Sequence, residues 1–223
     1  MLLAVDTSTA QLGLALYDGS QVVAEQTWRN LHGAHHTVEL APAIADLLKR
    51  CGLTMEEIQV LGVAIGPGSF TSLRVGLALV KGLALARQLP LVGVPTLDIL
   101  AAGQASARLP MAVVIQAGRG RLALGWYKSS RKGWHSKGPA RVVTVDGLLE
   151  EVTDPVIVCG ELTPVERQKL MEKPEIRLLS PAQSVRRPAI LAELAWTRWL
   201  AGSVDDEATL APIYLHVAGS IPA

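Results

Sequence analysis

One hydrophobic hairpin pattern occurs twice in this chain. The run "LLAVDTSTAQLGLALYDG", starting at Leu2, aligns without a gap with "MAVVIQAGRGRLALGWYKSS" at a constant offset of 110 residues. Val5 meets Ile115, Asp6 meets Gln116, Leu12 meets Leu122, Leu14 meets Leu124 and Tyr17 meets Tyr127. A repeated supersecondary unit restricts topology more than any local propensity, because two copies of one unit imply two lobes of one plan. A chance likeness between two apolar hairpins is the rival explanation. Further on, "DPVIVCGE" resembles "VLGVAIGP" as a strand ending in glycine, and the second copy is the shorter one. Small polar residues cluster in "AGQASAR", the best boundary between the lobes. This places a first lobe at 1–104, completed by 206–223, and a smaller one at 105–205.

The local reading supports an α/β chain. Asp18-Gly19 closes the first hairpin and "QVVAEQTW" returns. "HTVELAPAIADLLKRCG" reads as a helix with Leu40, Ile44, Leu47, Leu48 and Cys51 on its buried stripe. Pro42 belongs in its first turn or kinks it. "IQVLGVAIG" is a buried strand, followed by a turn and a long helix to about Gln88. "LPLVGV" is another strand and "TLDILAAGQASA" another helix. "PAQSVRRPAILAELAWTRWLAGS" reads as the final helix of the second half, with Pro188 near its start, where proline is tolerated.

Composition excludes several classes. With 223 residues, 49% apolar, 18% charged and a net charge of +1, the chain has ample core and no broad polyanion-binding balance, although a local basic patch can hide inside that balance. "MLLAVDTSTA" lacks the basic start of a signal peptide, and no window reaches the ~18 apolar residues of a membrane span. A cytoplasmic protein with no membrane partner is expected. Cys51 and Cys159 then read as reduced core thiols.

The stretch "AIGPGSFTSLRVGLALVKG" carries the sharpest chemistry. A glycine turn before a helix leaves backbone N–H groups for an anion, Ser69 or Thr71 can cap the helix, and Arg74 can reach forward. Gly66, Gly68 and Ser69, with Asp6, Thr7 and Ser8 of the first strand end, are therefore candidate nucleotide-binding residues. The same turn also suits a plain strand-to-helix connection, and the Gly-Lys-Ser/Thr ending of a Walker loop is absent. The helix behind it repeats small residues: Ser72 with Gly76, and Ala78 with Gly82 and Ala86. Two such rows flank Leu73, Leu77, Val80 and Leu83, more surface than one sheet covers, which points to packing on a partner as well.

Duplicated halves of this kind describe the actin/sugar-kinase-like (ASKHA) α/β fold, with "AVDTST" at its first phosphate-loop position. More closely, "LAVDTST", "GPGSFTSLRVGLALVKGLA" and "PLVGVPTLDILA" together resemble the TsaB (YeaZ) family, accessory subunits of the machinery that makes threonylcarbamoyladenosine on tRNA. The resemblance covers essentially the whole chain. It implies two unequal lobes, pairing with a TsaD-like catalytic subunit, a TsaE-like ATPase as a further partner, and tRNA reached only through that complex. It also implies a pairing surface on the helices at 36–50 and 70–87, here assigned to Leu40, Ile44, Leu47, Leu73, Gly76, Leu77, Val80 and Leu83. Without the partner, the same face is expected to form a homodimer. Three positions depart from the family pattern: Ser72, Gln116 and His216.

The chain is expected to be no enzyme on its own. The catalytic relatives hold a metal through two histidines four apart, and Thr96 and Leu100 stand at those places. If Gln116 replaces a second carboxylate, Asp6 is left alone, and an amide supplies neither charge nor a base. "HGAHH" (His32, His35, His36) has no acid or Cys spaced to complete a metal set. No cofactor is expected, though weak ATP or ADP binding is compatible with the turn. The alternative is a kinase-class enzyme turning over a nucleotide at Asp6, Thr7, Ser8 and Gly66–Ser69. "SSRKGWHSKG", with Trp134, is the best candidate for direct RNA contact, and a solvated hairpin end explains it equally well.

Overall fold

The computed structural model describes residues 1–29 and 36–215, with no side-chain description for residues 36 and 37. His32, His35 and His216 therefore lie outside the described residues, as does the His36 side chain. The described residues divide into two units: those of Met1–Ile99 with Arg186–Ile213, and Leu100–Val185 with Tyr214 and Leu215.

In the first unit, β1 (Leu2–Asp6), β2 (Gln11–Tyr17) and β3 (Val22–Arg29) form an antiparallel meander. The Asp18 carboxylate accepts the backbone N–H groups of Ser20 and Gln21 in the β2–β3 turn. Those bonds, led by that of Gln21, hold its pKa well below the usual carboxylate range. α1 (His36–Arg50) leads to a single 3-10 turn at Met55–Glu57 and then β4 (Val60–Ala64), which lies parallel to β1. α2 (Phe70–Arg87), β5 (Leu91–Val94) and α3 (Thr96–Ala102) follow, and the sheet order is β3-β2-β1-β4-β5. Pro42 sits inside α1 rather than in its first turn, with its ring exposed.

Alternation along the strands decides which helices each face receives. Leu3 and Val5 of β1 and Leu12, Leu14 and Leu16 of β2 face α1 and α2. Leu2, Ala4 and Ala15 face α6 (Pro188–Leu200) through Leu191, Ala192 and Ala195. The sequence pattern places the last helix in the second half, and the structure corrects this: the helix belongs to the first unit. α6 packs on β1, β2 and β4 of the first sheet because its apolar face matches the small side chains there. The segment after it stays with the first unit: the Asp205 N–H donates to the Leu91 carbonyl at 2.8 Å, and that of Ile213 to Ile65 at 2.7 Å.

The second unit contains β6 (Met111–Gln116), β7 (Leu122–Ser130), β8 (Gly133–Ser136), β9 (Arg141–Val143), α4 (Val145–Glu151), β10 (Val156–Gly160), α5 (Pro164–Met171) and β11 (Ile176–Leu178). Its sheet order is β11-β10-β6-β7-β8, with β9 also pairing β7. β6 and β10 are parallel, as β1 and β4 are. α4 and α5 cover one face through Leu148 and Leu170, against Ala112, Val114, Leu122 and Leu124. Among the described residues, no helix is long and apolar enough to cross a membrane.

The two hairpins differ in register by one residue. Asp6 lies opposite Gly13, whereas Gln116 lies opposite Leu122, so the second turn is one residue shorter. Leu12 and Leu14 of β2 match Leu122 and Leu124 of β7 on the face toward the crossover helices. Leu3 and Val5 of β1 then match Ala112 and Val114 of β6 on that face, rather than the residues 110 positions on. A one-residue slip reverses every side chain. The sequence pairing of Asp6 with Gln116 is therefore incorrect in space. Asp6 lies on the α6 side of its sheet, and Gln116 lies on the α5 side of the other.

Candidate functional site

The candidate site lies where β1 and β4, adjacent and parallel, end at Asp6 and Ala64. In α/β sheets, such carboxyl-terminal strand ends are where ligands gather. Here the chain's own groups fill the turn. The Asp6 carboxylate accepts from the Ser8 N–H at 2.8 Å and from the Arg186 Nε at 2.7 Å. Both side chains are essentially inaccessible, at 2% and 0% exposure. Arg186 also donates to the Thr9 hydroxyl, and its carbonyl accepts from Gln11 Nε2. Removing one partner of a buried ion pair costs ~3–5 kcal/mol, because the other is left charged and unpaired. A cation approaching Asp6 must therefore compete with a guanidinium already held in place. The sequence reading missed Arg186, and the doubled arginine ahead of Pro188 was its only signal.

The glycine turn is closed in the same manner. The Ser69 N–H donates to the Ser8 carbonyl at 2.6 Å, joining the two loops, and a Cβ on Gly68 would lie 2.1 Å from that carbonyl oxygen. Glycine is required there by close approach of the backbone. The Thr7 hydroxyl donates to the Ser72 carbonyl at 2.7 Å, and a Cβ on Gly76 would meet that hydroxyl at 2.1 Å. Ser8 Oγ shares a hydrogen bond with Thr96 Oγ1 at 2.8 Å, and Thr96 Oγ1 also accepts the Gly66 N–H. Ser69 Oγ accepts from the Ser72 N–H and caps α2. Arg74 stacks its guanidinium 3.5 Å above the Phe70 ring. Asp6, Thr7, Ser8, Gly66, Gly68 and Ser69 thus converge, but as one interlocked turn.

The residues that stand where catalytic relatives carry ligands are held within the fold as well. Thr96 and Leu100 are buried. The Gln116 side-chain amide donates to the Glu166 carboxylate at 2.7 Å and to the Glu161 carbonyl at 3.2 Å, within the second unit. Among the described residues, no group of three or more His, Cys, Asp or Glu side chains is placed to hold a metal ion. Burial pushes the Cys159 thiol up to about 11, so it stays protonated at neutral pH.

The α1–α2 surface is a second candidate, and it corrects the interface residues chosen from sequence. Leu40, Ile44, Leu47, Leu73, Gly76, Leu77 and Val80 are buried in the first unit's own core, and Leu83 is half-buried. The leucine stripe marks the inward face, because apolar periodicity reports burial but not what does the burying. The outward face carries the other row: Ala78, Gly82 and Ala86 are all exposed, and a Cβ on Gly82 would meet nothing. Val38, Phe70 and Leu85 stand beside them, at 73%, 53% and 69% exposure. A groove of about 420 Å³ runs past Ala41, Ala45 and Leu83, and another of about 530 Å³ past Phe70, Arg74 and Ala78. Leu79 lines both, so the two apolar grooves are neighbours along the α1–α2 surface.

Two units on one strand plan, each an antiparallel hairpin continued by parallel strands, define an α/β protein of the actin/sugar-kinase-like class. A family model described as "TsaD: tRNA N6-adenosine threonylcarbamoyltransferase" matches residues 24–154. The chain is 31% identical over 222 residues to the tRNA threonylcarbamoyladenosine biosynthesis protein TsaB of Bacillus subtilis (strain 168), covering 97% of this chain and 94% of that protein. It is 32% identical over 139 residues to the TsaB protein of Escherichia coli (strain K12), covering 61% and 59%. The solved structure of YeaZ from Pseudomonas aeruginosa superposes with a TM-score of 0.77 at 25% identity, covering 96% of this chain and 99% of that one. The chain belongs to the TsaB (YeaZ) family, and its role lies in the biosynthesis of threonylcarbamoyladenosine on tRNA.

Proposed function

We propose that this chain is the non-catalytic partner subunit of a tRNA threonylcarbamoyltransferase complex in the cytoplasm, pairing through α1 and α2 with a TsaD-like catalytic subunit and, through that pair, with a TsaE-like ATPase. One observation carries the reading: α2 turns a row of small residues outward beside two apolar grooves, and among the described residues a Cβ on Gly82 would find nothing within 4 Å. Glycine in a helix interior costs about 0.5–1 kcal/mol relative to alanine, a cost that a closely approaching second surface would offset. A TsaD-type subunit built on the same plan offers matching helices, and a specific pairing needs ~1,200–2,000 Å² of total buried surface. Alone, the same face pairs two copies of this chain about a two-fold axis.

The Asp6–Arg186 pair and the interlocked turn support the non-catalytic part. A kinase-class reading needs Asp6 for a metal and the turn N–H groups for phosphate, and Asp6 and the N–H groups of Ser8, Gly66 and Ser69 are already engaged internally. The test is co-expression with the TsaD-like protein of the same cell, followed by size-exclusion chromatography with light scattering. A stoichiometric complex is expected for the natural chain, and none for Ala78→Glu/Leu85→Glu. Steady ATP turnover by the purified chain alone, lost in Asp6→Ala, would sink the reading.

A further inference from the structure

Charge is distributed unevenly along this near-neutral chain. Between Asp98 and Asp146 there are eight Lys and Arg residues and no Asp or Glu, leaving thirteen basic against twenty acidic residues elsewhere. Much of this excess lies on the β7–β8 hairpin, at the edge of the second unit's sheet. Lys128 and His135 are direct cross-strand partners. The Lys137 N–H donates to the Trp126 carbonyl at 2.7 Å, continuing the same register by one pair. Alternation places Trp126, Lys128, His135 and Lys137 on one face. Lys128, His135 and Lys137 are exposed, as are Arg131 and Lys132 at the turn. None of the four lysine and arginine side chains of the hairpin is in an ion pair among the described residues.

Beside these cations lies a groove of about 340 Å³ lined by Pro110, Trp126, Lys137, Gly138 and Pro139. A tryptophan and a lysine both line it. Trp134, the ring favoured by sequence, lies on the opposite face, and its indole N–H is bound to the Gln104 carbonyl at 3.1 Å. That bond anchors the hairpin. No large apolar side chain is exposed between residues 99 and 145, so the surface has nothing to insert into a lipid bilayer or to seat an apolar partner.

We propose that the β7–β8 hairpin contacts RNA directly, with Lys128, Arg131, Lys132 and Lys137 meeting phosphates and the Trp126 groove receiving an unpaired base. Cations tracking a backbone beside an aromatic ring are the recurring chemistry of single-stranded nucleic-acid recognition. The inference rests on the role in tRNA modification and deepens it, since it gives the accessory subunit its own contact to the substrate.

The probe is a fluorescein-labelled tRNA transcript, titrated with the full chain alone and in complex with its TsaD-like partner across a salt series. Lys128→Gln/Lys137→Gln is compared with an equal charge loss elsewhere, Lys169→Gln/Arg177→Gln. The hairpin variant is expected to bind at least tenfold more weakly, and the slope of log affinity against log salt should fall by about 1.5, the loss of two phosphate contacts. The control should keep both, and all variants should retain their circular dichroism melts. Equal weakening by both pairs, or none by the hairpin pair, overturns the inference. So does displacement of the tRNA by polyglutamate as readily as by poly(U), which would mark an acidic protein partner, or stronger binding to phosphatidylserine vesicles. Complex formation with the TsaD-like subunit is scored separately: its absence counts against the subunit role, whereas an intact complex with unchanged tRNA affinity counts against the hairpin alone.

Discussion

Arg186 lies against Asp6 across 180 residues of sequence, Nε to Oδ2 at 2.7 Å, with neither side chain reaching solvent. The aspartate at the end of the first strand is half of a buried ion pair. Replacing Arg186 with methionine keeps the volume and leaves a buried, unpaired carboxylate. A loss of ~3–5 kcal/mol in urea unfolding is expected. The double replacement Asp6→Asn/Arg186→Met should recover part of that loss, since it removes the stranded charge. Equal stabilities for Arg186→Met and the natural protein would show that the pair carries no load.

Gly76 and Gly82 lie in one helix and should respond to alanine with opposite signs. At Gly76 the new Cβ would meet the Thr7 hydroxyl at 2.1 Å, and overpacking of this kind costs about 1–3 kcal/mol. Thr7→Ala/Gly76→Ala should then be more stable than the sum of the two single changes, because the first removes the obstruction. At Gly82 there is open space, and alanine should add about 0.5–1 kcal/mol to the stability of the isolated chain. The same change should weaken pairing with the TsaD-like subunit. Thermal melts and pull-downs on the same four variants separate the two effects.

Much of the fold was legible because local patterns specify it. The Asp18-Gly19 hairpin, the helix beginning after Ser69 and the proline-led helix at Pro188 stand where their turn and cap residues place them. What escaped was long-range or a matter of parity. Nothing local marks Arg186 as the partner of Asp6. A turn shorter by one residue leaves the apolar pattern of β6 unchanged while reversing its faces, so Gln116 was set opposite the wrong relative. For the site, the six turn residues were found together, but whether their donors faced a ligand or each other depended on contacts such as Ser8 to Thr96, which are 88 residues apart.

The interface prediction depends on separating the two faces of α2. Leu77, 5% exposed within the first unit's core, is unsuitable for testing association: Leu77→Glu buries a charge and should unfold the chain. Leu85, 69% exposed, should tolerate Glu with a change in unfolding free energy within ~0.5 kcal/mol. Light scattering should then show Leu85→Glu shifted from dimer toward monomer at unchanged helicity. A dimer of natural strength in Leu85→Glu would move the pairing surface away from this end of α2.

Cys159 gives stability a dependence on alkaline pH whose sign follows from its burial. Its thiol titrates at about 11 in the folded chain and at 9.0 unperturbed, because burial disfavours the thiolate. The folded state therefore holds the proton more tightly, so this contribution is complete below pH 9 and is lost as pH rises through 11. Two pKa units correspond to about 2.7 kcal/mol, and the unfolding free energy should fall by up to that amount across the interval. Cys159→Ala removes the titration and should flatten that part of the profile. The thiol should also react with a disulfide reagent at pH 8 far more slowly than that of Cys51, which is only half-buried. Equal labelling rates for the two cysteines in the folded protein would contradict the burial that sets the shift.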